Sequence, residues 1–260
     1  VLAGAKFVLS LDSAWEGTWR QIAARVLLCR YLKRMDAVIV AGERGRQFVR
    51  YLGVPANKIF TSMYGFDYEH FKSATVMRES SGAWPRSFVY VGRYVPAKGC
   101  DTLIRAYDIY RRQVDSPWPL HCYGTGPLKN MLDAAGSAIV HDFVQPQELP
   151  AILAQHGVYI LPSIREPWGV SLAEAAATGM PVICSDRVSS GLDIVRHLYD
   201  GLVFAAGDAQ ALARCLLWAH THPENLSKMG GRAQVYAEAY SAQHWADRWM
   251  WCFETILADG

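Results

Sequence analysis

Residues 158–186 read VYILPSIREPWGVSLAEAAATGMPVICSD, and the fold turns on this stretch. The apolar run Val158 to Leu161 has the length and composition of a buried strand. Pro167 stands at a helix start, a position that needs no N–H. Small residues from Leu172 to Thr178 continue the helix, and Gly179 ends it. Pro181 to Ser185 read as the next strand. Glu166 therefore falls in a strand-to-helix loop, and Glu174 lies one to two turns into the helix. In open α/β sheets, ligands bind at such loops, outside the carboxyl ends of the strands. The N–H groups around Trp168, Gly169 and Val170 suit an anion or a polar sugar. The plain alternative is a βαβ unit whose glutamates are solvated helix charges.

Bulk properties narrow the function classes. The chain has 260 residues, enough for one large or two modest domains. A formal charge of +2 gives no basic stripe of the kind a nucleic-acid protein carries. Six cysteines occur without a C-x-x-C pair, and apolar neighbours mark several as buried free thiols of a reducing compartment. The histidines form no H-x-x-x-H or H-E-x-x-H pattern, so no metal site is predicted. There is no apolar run long enough to span a bilayer and no visible signal peptide, which points to a cytoplasmic protein.

Working outward from the central stretch, the flanking sequence alternates strand and helix, the signature of a parallel sheet with covering helices. Phe88 to Val91 form a strand ending in Gly92-Arg93. A loop with Lys98 follows, then a helix with Leu103, Ile104, Tyr107 and Tyr110 on one face. Leu120 to Tyr123 are a strand closed by Gly124-Thr125-Gly126. Ala138 to Val140 are another, followed by the loop His141 to Val144. Upstream, Phe7 to Leu11, Ala37 to Val40 and Lys58 to Met63 are strands. Between the first two, Trp15, Trp19, Ile22, Val26 and Cys29 recur at helical spacing and read as a core stripe. Arg20, Arg25, Arg30, Lys33 and Arg34 share that helix, where a solvated face is favoured over peripheral membrane contact. Lys72 to Arg86 are polar and Ser-rich and read as a linker. Trp245, Trp249, Phe253 and Ile256 form a stripe on a last helix.

The segments EPWG (166–169), Glu174 and Gly179 to Val182 resemble the E-P-F-G…E-A…G-x-P-V region of retaining, nucleotide-sugar-dependent glycosyltransferases of family 4 (group 1), with the GT-B fold. VGRYVPAKG (91–99) resembles that family's G-R…K-G segment, and DAVIVAGERGRQFVRYLGVPANKIFTSMYGFDYEHF (36–71) the second half of its N-terminal domain. The resemblance implies an α/β protein of two Rossmann-like domains with parallel sheets. The boundaries are 1–72 for an incomplete N-terminal domain, 73–86 for the linker, and 87–240 for the nucleotide-sugar domain. A helix at 241–260 crosses back. It implies that Glu166 contacts the donor sugar and that Arg93 and Lys98 bind the donor diphosphate, these three being the catalytic set. Glu174 would contact the ribose, with Trp168, Gly169, Val170, Gly92 and Val144 also at the donor. Trp168 replaces the usual Phe. Asp193 stands near the usual Glu, in a loop that departs from Gly-Gly-x-Pro-Glu.

The activity so implied is transfer of a hexose from a nucleotide diphosphate sugar to an acceptor hydroxyl with retention, in polysaccharide or glycolipid synthesis. No cofactor or metal is required. The partners are the donor and a saccharide or lipid-linked acceptor. A further partner would cover the open edge of the incomplete first sheet. Two other readings stand beside it. One is a nucleotide-sugar-binding module without catalysis of its own; the other is a sugar-nucleotide 2-epimerase of the same fold.

Overall fold

A computed structural model of the chain describes residues 5–80 and 82–258. In chain order the elements are β1 (Val8–Leu11), α1 (Trp19–Leu32), β2 (Ala37–Val40), α2 (Glu43–Tyr51), β3 (Ile59–Thr61) and α3 (Tyr68–Glu79). Then come β4 (Phe88–Val91), α4 (Cys100–Arg111), β5 (Leu120–Tyr123), α5 (Lys129–Ala135), β6 (Ile139–His141) and α6 (Leu149–Ala154). They are followed by β7 (Val158–Leu161), α7 (Val170–Ala177), β8 (Val182–Ser185), α8 (Ser189–Ile194) and β9 (Gly201–Phe204). The chain closes with α9 (Ala209–Thr221), α10 (Pro223–Glu238) and α11 (Ala242–Ala258). Two compact units emerge: one runs to Phe66 and resumes at Tyr240, and the other is Asp67–Ala239.

The first unit holds a parallel sheet in the order β1-β2-β3. Successive side chains of a strand point to opposite faces, and β2 uses both. Val38 and Val40 pack with Phe48, Val49 and Leu52 around α2, while Ala37 and Ile39 pack with Phe60 and with Cys252 and Ile256 of α11. Trp245 donates from Nε1 to the Met63 carbonyl at 3.0 Å, and Arg248 donates to Ser62 Oγ at 2.7 Å. The buried pair of α11 is thus Cys252 and Ile256; Trp245 and Phe253 of the expected stripe are exposed.

The larger correction concerns α1. Trp19, Ile22 and Val26 were expected in a core, yet all three are exposed, and Leu32 is the buried residue of this helix. Helical spacing alone does not say which face the rest of the chain covers. The cysteines behave as expected: all six are free, five buried and Cys29 half-buried.

The second unit holds a parallel sheet in the order β6-β5-β4-β7-β8-β9. The chain adds β5 and β6 on one side of β4, then returns so that β7 pairs with the other side. The order reverses between β4 and β7, so the loops at their carboxyl ends face one crevice.

Residues 72–79, expected in a linker, are helical. Asp67 caps α3 by accepting from the His70 N–H, and Tyr68, Phe71, Ala74 and Arg78 face inward. The fourth member of that stripe is an arginine, so no apolar period marks the helix in the sequence. The buried Arg78 guanidinium donates to the Thr178 carbonyl at 2.5 Å and the Leu153 carbonyl at 2.9 Å. Gln234 of α10 donates to the Ala177 carbonyl at 2.6 Å. Together α3 and α10 satisfy the last carbonyls of α7. Arg78→Met is expected to lower the unfolding free energy by about 2–4 kcal/mol, because two buried acceptors lose their donor. Urea denaturation checks this; a change within experimental error would show that water replaces the guanidinium without cost.

Candidate functional site

The loop after β4 and the loop after β7 are fastened to each other. The Ile164 and Arg165 N–H groups both donate to the Ala97 carbonyl, at 2.9 and 3.1 Å. Gly99 sits at φ +70°, and a Cβ there would lie 2.1 Å from the Pro162 carbonyl oxygen. The backbones can approach this closely only without a side chain. This contact sets Lys98 beside Glu166, and the two form an ion pair with side chains 16% and 11% exposed.

Glu166 is held from several directions. Ser163 Oγ donates to Glu166 Oε2 at 2.9 Å, and Ser189 Oγ donates to the Glu166 carbonyl at 3.2 Å. Glu166 also bridges to Val188 in parallel fashion. Gly169, at φ +102°, is the N-cap of α7 and lies against Glu166 and Val188. It offers no side-chain acceptor to the helix, and no acidic residue occupies the first turn. The N–H groups of Val170 and Ser171 thus belong to an uncapped helix start, carrying the partial positive charge of the helix dipole.

Glu174 lies on the next turn of α7, half-buried. Burial raises its pKa from 4.5 to about 7. Tyr159 of β7, fully buried, donates to the Val91 carbonyl at 3.1 Å and also bonds Ser171. Burial pushes its phenol pKa up, and the nearby charges of Glu174 and Glu166 add to the shift. One tyrosine thus ties the end of β4 to α7 beneath both glutamates.

The expected residues divide into three groups. Lys98, Glu166, Gly169, Val170 and Glu174 come together around the α7 start. Gly92 and Arg93 lie at the end of β4, where the Gly92 N–H donates to Tyr123 and Tyr90 Oη donates to the Arg93 carbonyl. The Arg93 side chain is exposed and, among the described residues, forms no ion pair with Glu166. Val144 is half-buried in the loop after β6, and among the described residues no hydrogen bond joins it to this group. Trp168, expected at the donor together with the N–H groups of Gly169 and Val170, turns its side chain inward. It is 1% exposed, and its Nε1 donates to Asp193 Oδ2 at 2.9 Å.

That bond couples the two departures from the family pattern. An indole where phenylalanine is usual needs a buried acceptor, and Asp193 supplies it. A double-mutant cycle of Trp168→Phe and Asp193→Ala is expected to return a coupling of about 1–2 kcal/mol in stability; additive effects would dissociate the two. Ser163, Ser189, Tyr159 and Ser190, whose Oγ donates to the Gly169 carbonyl at 3.0 Å, are the supporting residues that sequence reasoning missed. Serines carry no motif at this spacing. Tyr159 reads simply as one member of an apolar strand.

Cavities of about 400 Å³, beside Arg78 and Trp84, and about 550 Å³, beside Phe204 and Trp218, lie on other faces of the second unit and include none of these residues. The site stands out by its chemistry: one lysine, two carboxylates and an open helix start at the switch point of a parallel sheet.

The family model for glycosyl transferases group 1 matches residues 78–235, more than half of the chain. The chain belongs to the glycosyl transferases group 1 family. Every residue of the site falls inside the matched span. The chain is 28% identical over 233 residues to the D-rhamnosyltransferase WbpZ of Pseudomonas aeruginosa, covering 84% of this chain and 59% of that one. It is 28% identical over 271 residues to a GDP-mannose-dependent α-(1-6)-phosphatidylinositol monomannoside mannosyltransferase of Mycolicibacterium smegmatis, covering 96% and 68% of the two chains. Among solved structures, Anabaena Alr3699/HepE in complex with UDP superposes with a TM-score of 0.79 at 18% identity, over 96% of this chain and 72% of that one. The fold class is therefore that of the GT-B glycosyltransferases. The chain spans 59% and 49% of the lengths of WbpZ and of the D-inositol 3-phosphate glycosyltransferase of Rhodococcus jostii.

Proposed function

We propose that the second unit binds a nucleotide diphosphate sugar and that the chain takes part in retaining transfer of its hexose to an acceptor hydroxyl. The acceptor is a saccharide or lipid-linked saccharide of polysaccharide or glycolipid synthesis. The observation that carries this reading is the Lys98–Glu166 pair set against the uncapped start of α7, one turn from Glu174.

Each group has work to do in that reaction. The bond between the anomeric carbon and the diphosphate oxygen breaks, and its electron pair leaves with the diphosphate. Lys98, Arg93 and the α7 N–H groups supply positive charge where that negative charge develops, which is where fixed charge accelerates most. No divalent metal is needed in this reading, because these groups take the place of one. Glu166 accepts from hydroxyls of the donor sugar, and Glu174 from the ribose. The acceptor oxygen attacks from the face the diphosphate leaves, and its proton passes to the departing phosphate oxygen. The new bond then keeps the anomeric configuration. Among the described residues no helix is long and apolar enough to cross a membrane; we place the reaction in the cytoplasm or at its membrane face.

The test is the anomeric NMR signal of the product formed from an α-linked nucleotide sugar. An α-glycoside is expected, and a β-glycoside would contradict retention. Nucleotide binding without any transfer would leave a binding module. Conversion of the free sugar nucleotide to its 2-epimer would replace transfer altogether.

A further inference from the structure

Buried hydroxyls need partners, and those of α8 find theirs in one short segment. Ser189 and Ser190 are 1% and 0% exposed. Ser189 Oγ donates to the Glu166 carbonyl. Ser190 grips the same segment twice: its N–H donates to the Trp168 carbonyl at 2.8 Å and its Oγ to the Gly169 carbonyl at 3.0 Å. As the second residue of α8, Ser190 has an N–H with no acceptor inside its own helix, so that donor is free to serve another element. Gly169 lets the two approach, since a Cβ there would lie 3.0 Å from Ser190 Oγ.

These two bonds decide where two other groups point. In a trans peptide unit the C=O and the following N–H lie in one plane and point in opposite directions, and no peptide bond among the described residues is cis. The Trp168 carbonyl shares its unit with the Gly169 N–H, and the Gly169 carbonyl shares its unit with the Val170 N–H. Drawing both carbonyls toward α8 therefore turns both N–H groups away from it. The Val170 N–H is also the first of α7 and has no acceptor within that helix. Satisfying the Gly169 carbonyl does not require Ser190, because the Leu172 N–H donates to it as well, at 3.1 Å. What the serine adds is direction. Ser189 differs in this respect: the unit that follows Glu166 ends in Pro167, which has no N–H to aim.

We propose that Ser190 is a positioning residue for the donor, holding the Trp168 and Gly169 carbonyls so that the Gly169 and Val170 N–H groups face the diphosphate. The inference rests on the nucleotide-sugar reading of the second unit and adds to it a residue that touches no substrate itself.

The test separates the diphosphate from the rest of the nucleotide. The full chain is titrated calorimetrically with UDP, GDP and ADP and with uridine, guanosine and adenosine. The contribution of the diphosphate is the ratio of the affinity of a nucleoside diphosphate to that of its nucleoside. For the nucleotide that binds the parent, Ser190→Ala is expected to lower this ratio about tenfold, the loss that follows when one donor to a charged group is turned aside. Nucleoside affinity should hold. Ser190→Thr keeps the hydroxyl and should restore the ratio. Ser190→Cys, close in size with a weaker donor, should fall between the two and serves in place of the alanine variant if that one does not fold. Ser189→Ala removes a hydroxyl of similar burial and should lower the ratio less than Ser190→Ala does. A merely structural serine would lower nucleoside and nucleoside diphosphate affinities together. That result, an unchanged ratio in both Ser190→Ala and Ser190→Cys, or an equal loss in Ser189→Ala would overturn the proposal. A parent that binds none of the three diphosphates would instead overturn the nucleotide-sugar reading, and this inference with it.

Discussion

Replacing Lys98 with methionine is expected to slow sugar transfer by about 10²–10³-fold, the cost of removing one fixed charge from a site where negative charge develops. Ground-state binding of the nucleotide should weaken far less, because the lysine matters most when the diphosphate departs. The ion pair with Glu166 makes a second explanation available, namely that Lys98 merely neutralises a largely buried carboxylate. The two are separable. Lys98→Met alone leaves Glu166 without its cation, and stability should fall by about 1–3 kcal/mol. In the Lys98→Met/Glu166→Gln double variant no charge is left unpaired, so stability should return. If the lysine were only structural, the double variant would transfer as fast as Glu166→Gln alone. The expected result is that stability recovers while transfer stays well below that of Glu166→Gln. Lys98→Arg keeps the charge but changes its reach, and should fall between the two.

Glu174→Gln is expected to stabilise the protein at pH 8 while removing the pH dependence of its nucleotide-sugar affinity. Burial raises the folded-state pKa of Glu174 to about 7, against 4.5 for the ordinary carboxyl. The folded chain therefore keeps this proton to a higher pH than the unfolded chain does. Stability falls as pH climbs from about 4.5 to about 7 and stays at the lower level beyond, an effect of order 2–3 kcal/mol for a partly exposed group. Glutamine removes the titration, so the variant should match the parent near pH 4.5 and exceed it at pH 8. Ligand binding runs the other way. Ribose hydroxyls donate more strongly to an ionised carboxylate, so nucleotide-sugar affinity should rise with pH through about 7 in the parent and stay flat in Glu174→Gln. Stability curves in urea from pH 4.5 to 8, with and without ligand, check both. A variant less stable than the parent at pH 8 would mean that the carboxylate is satisfied by the protein itself. A stability cost of this kind is common where a polar group is held ready for a ligand.

The parts of this site that could be read from the sequence are those that backbone rules dictate. The apolar run before Glu166, the proline after it and the glycine at 179 fix a strand, a loop and a helix. That is enough to place two glutamates at the end of a sheet. The Gly92-Arg93 and Lys98 segment is legible in the same way, but its meeting with Glu166 depends on Gly99 packing against Pro162, a contact between residues far apart in the chain. Two helices misled for opposite reasons. The inward stripe of α3 includes Arg78, whose burial is made possible by carbonyls of α6 and α7 and so leaves no apolar period. The stripe of α1 is apolar and periodic, yet among the described residues its outer face is left exposed. Pattern reveals a face; only the tertiary structure shows what covers it. The inward turn of the Trp168 indole is not legible either, because a motif position does not state which way a side chain points.

The central claim is that the second unit is a nucleotide-sugar site built on Glu174 and the start of α7. Thermal unfolding against UDP, GDP, ADP and their hexose conjugates tests it most directly. One nucleotide is expected to stabilise the protein by about 2.7 kcal/mol at a hundred times its dissociation constant, and Glu174→Ala should abolish that shift while leaving the protein folded. No shift with any nucleotide, or the same shift in Glu174→Ala, would contradict the account.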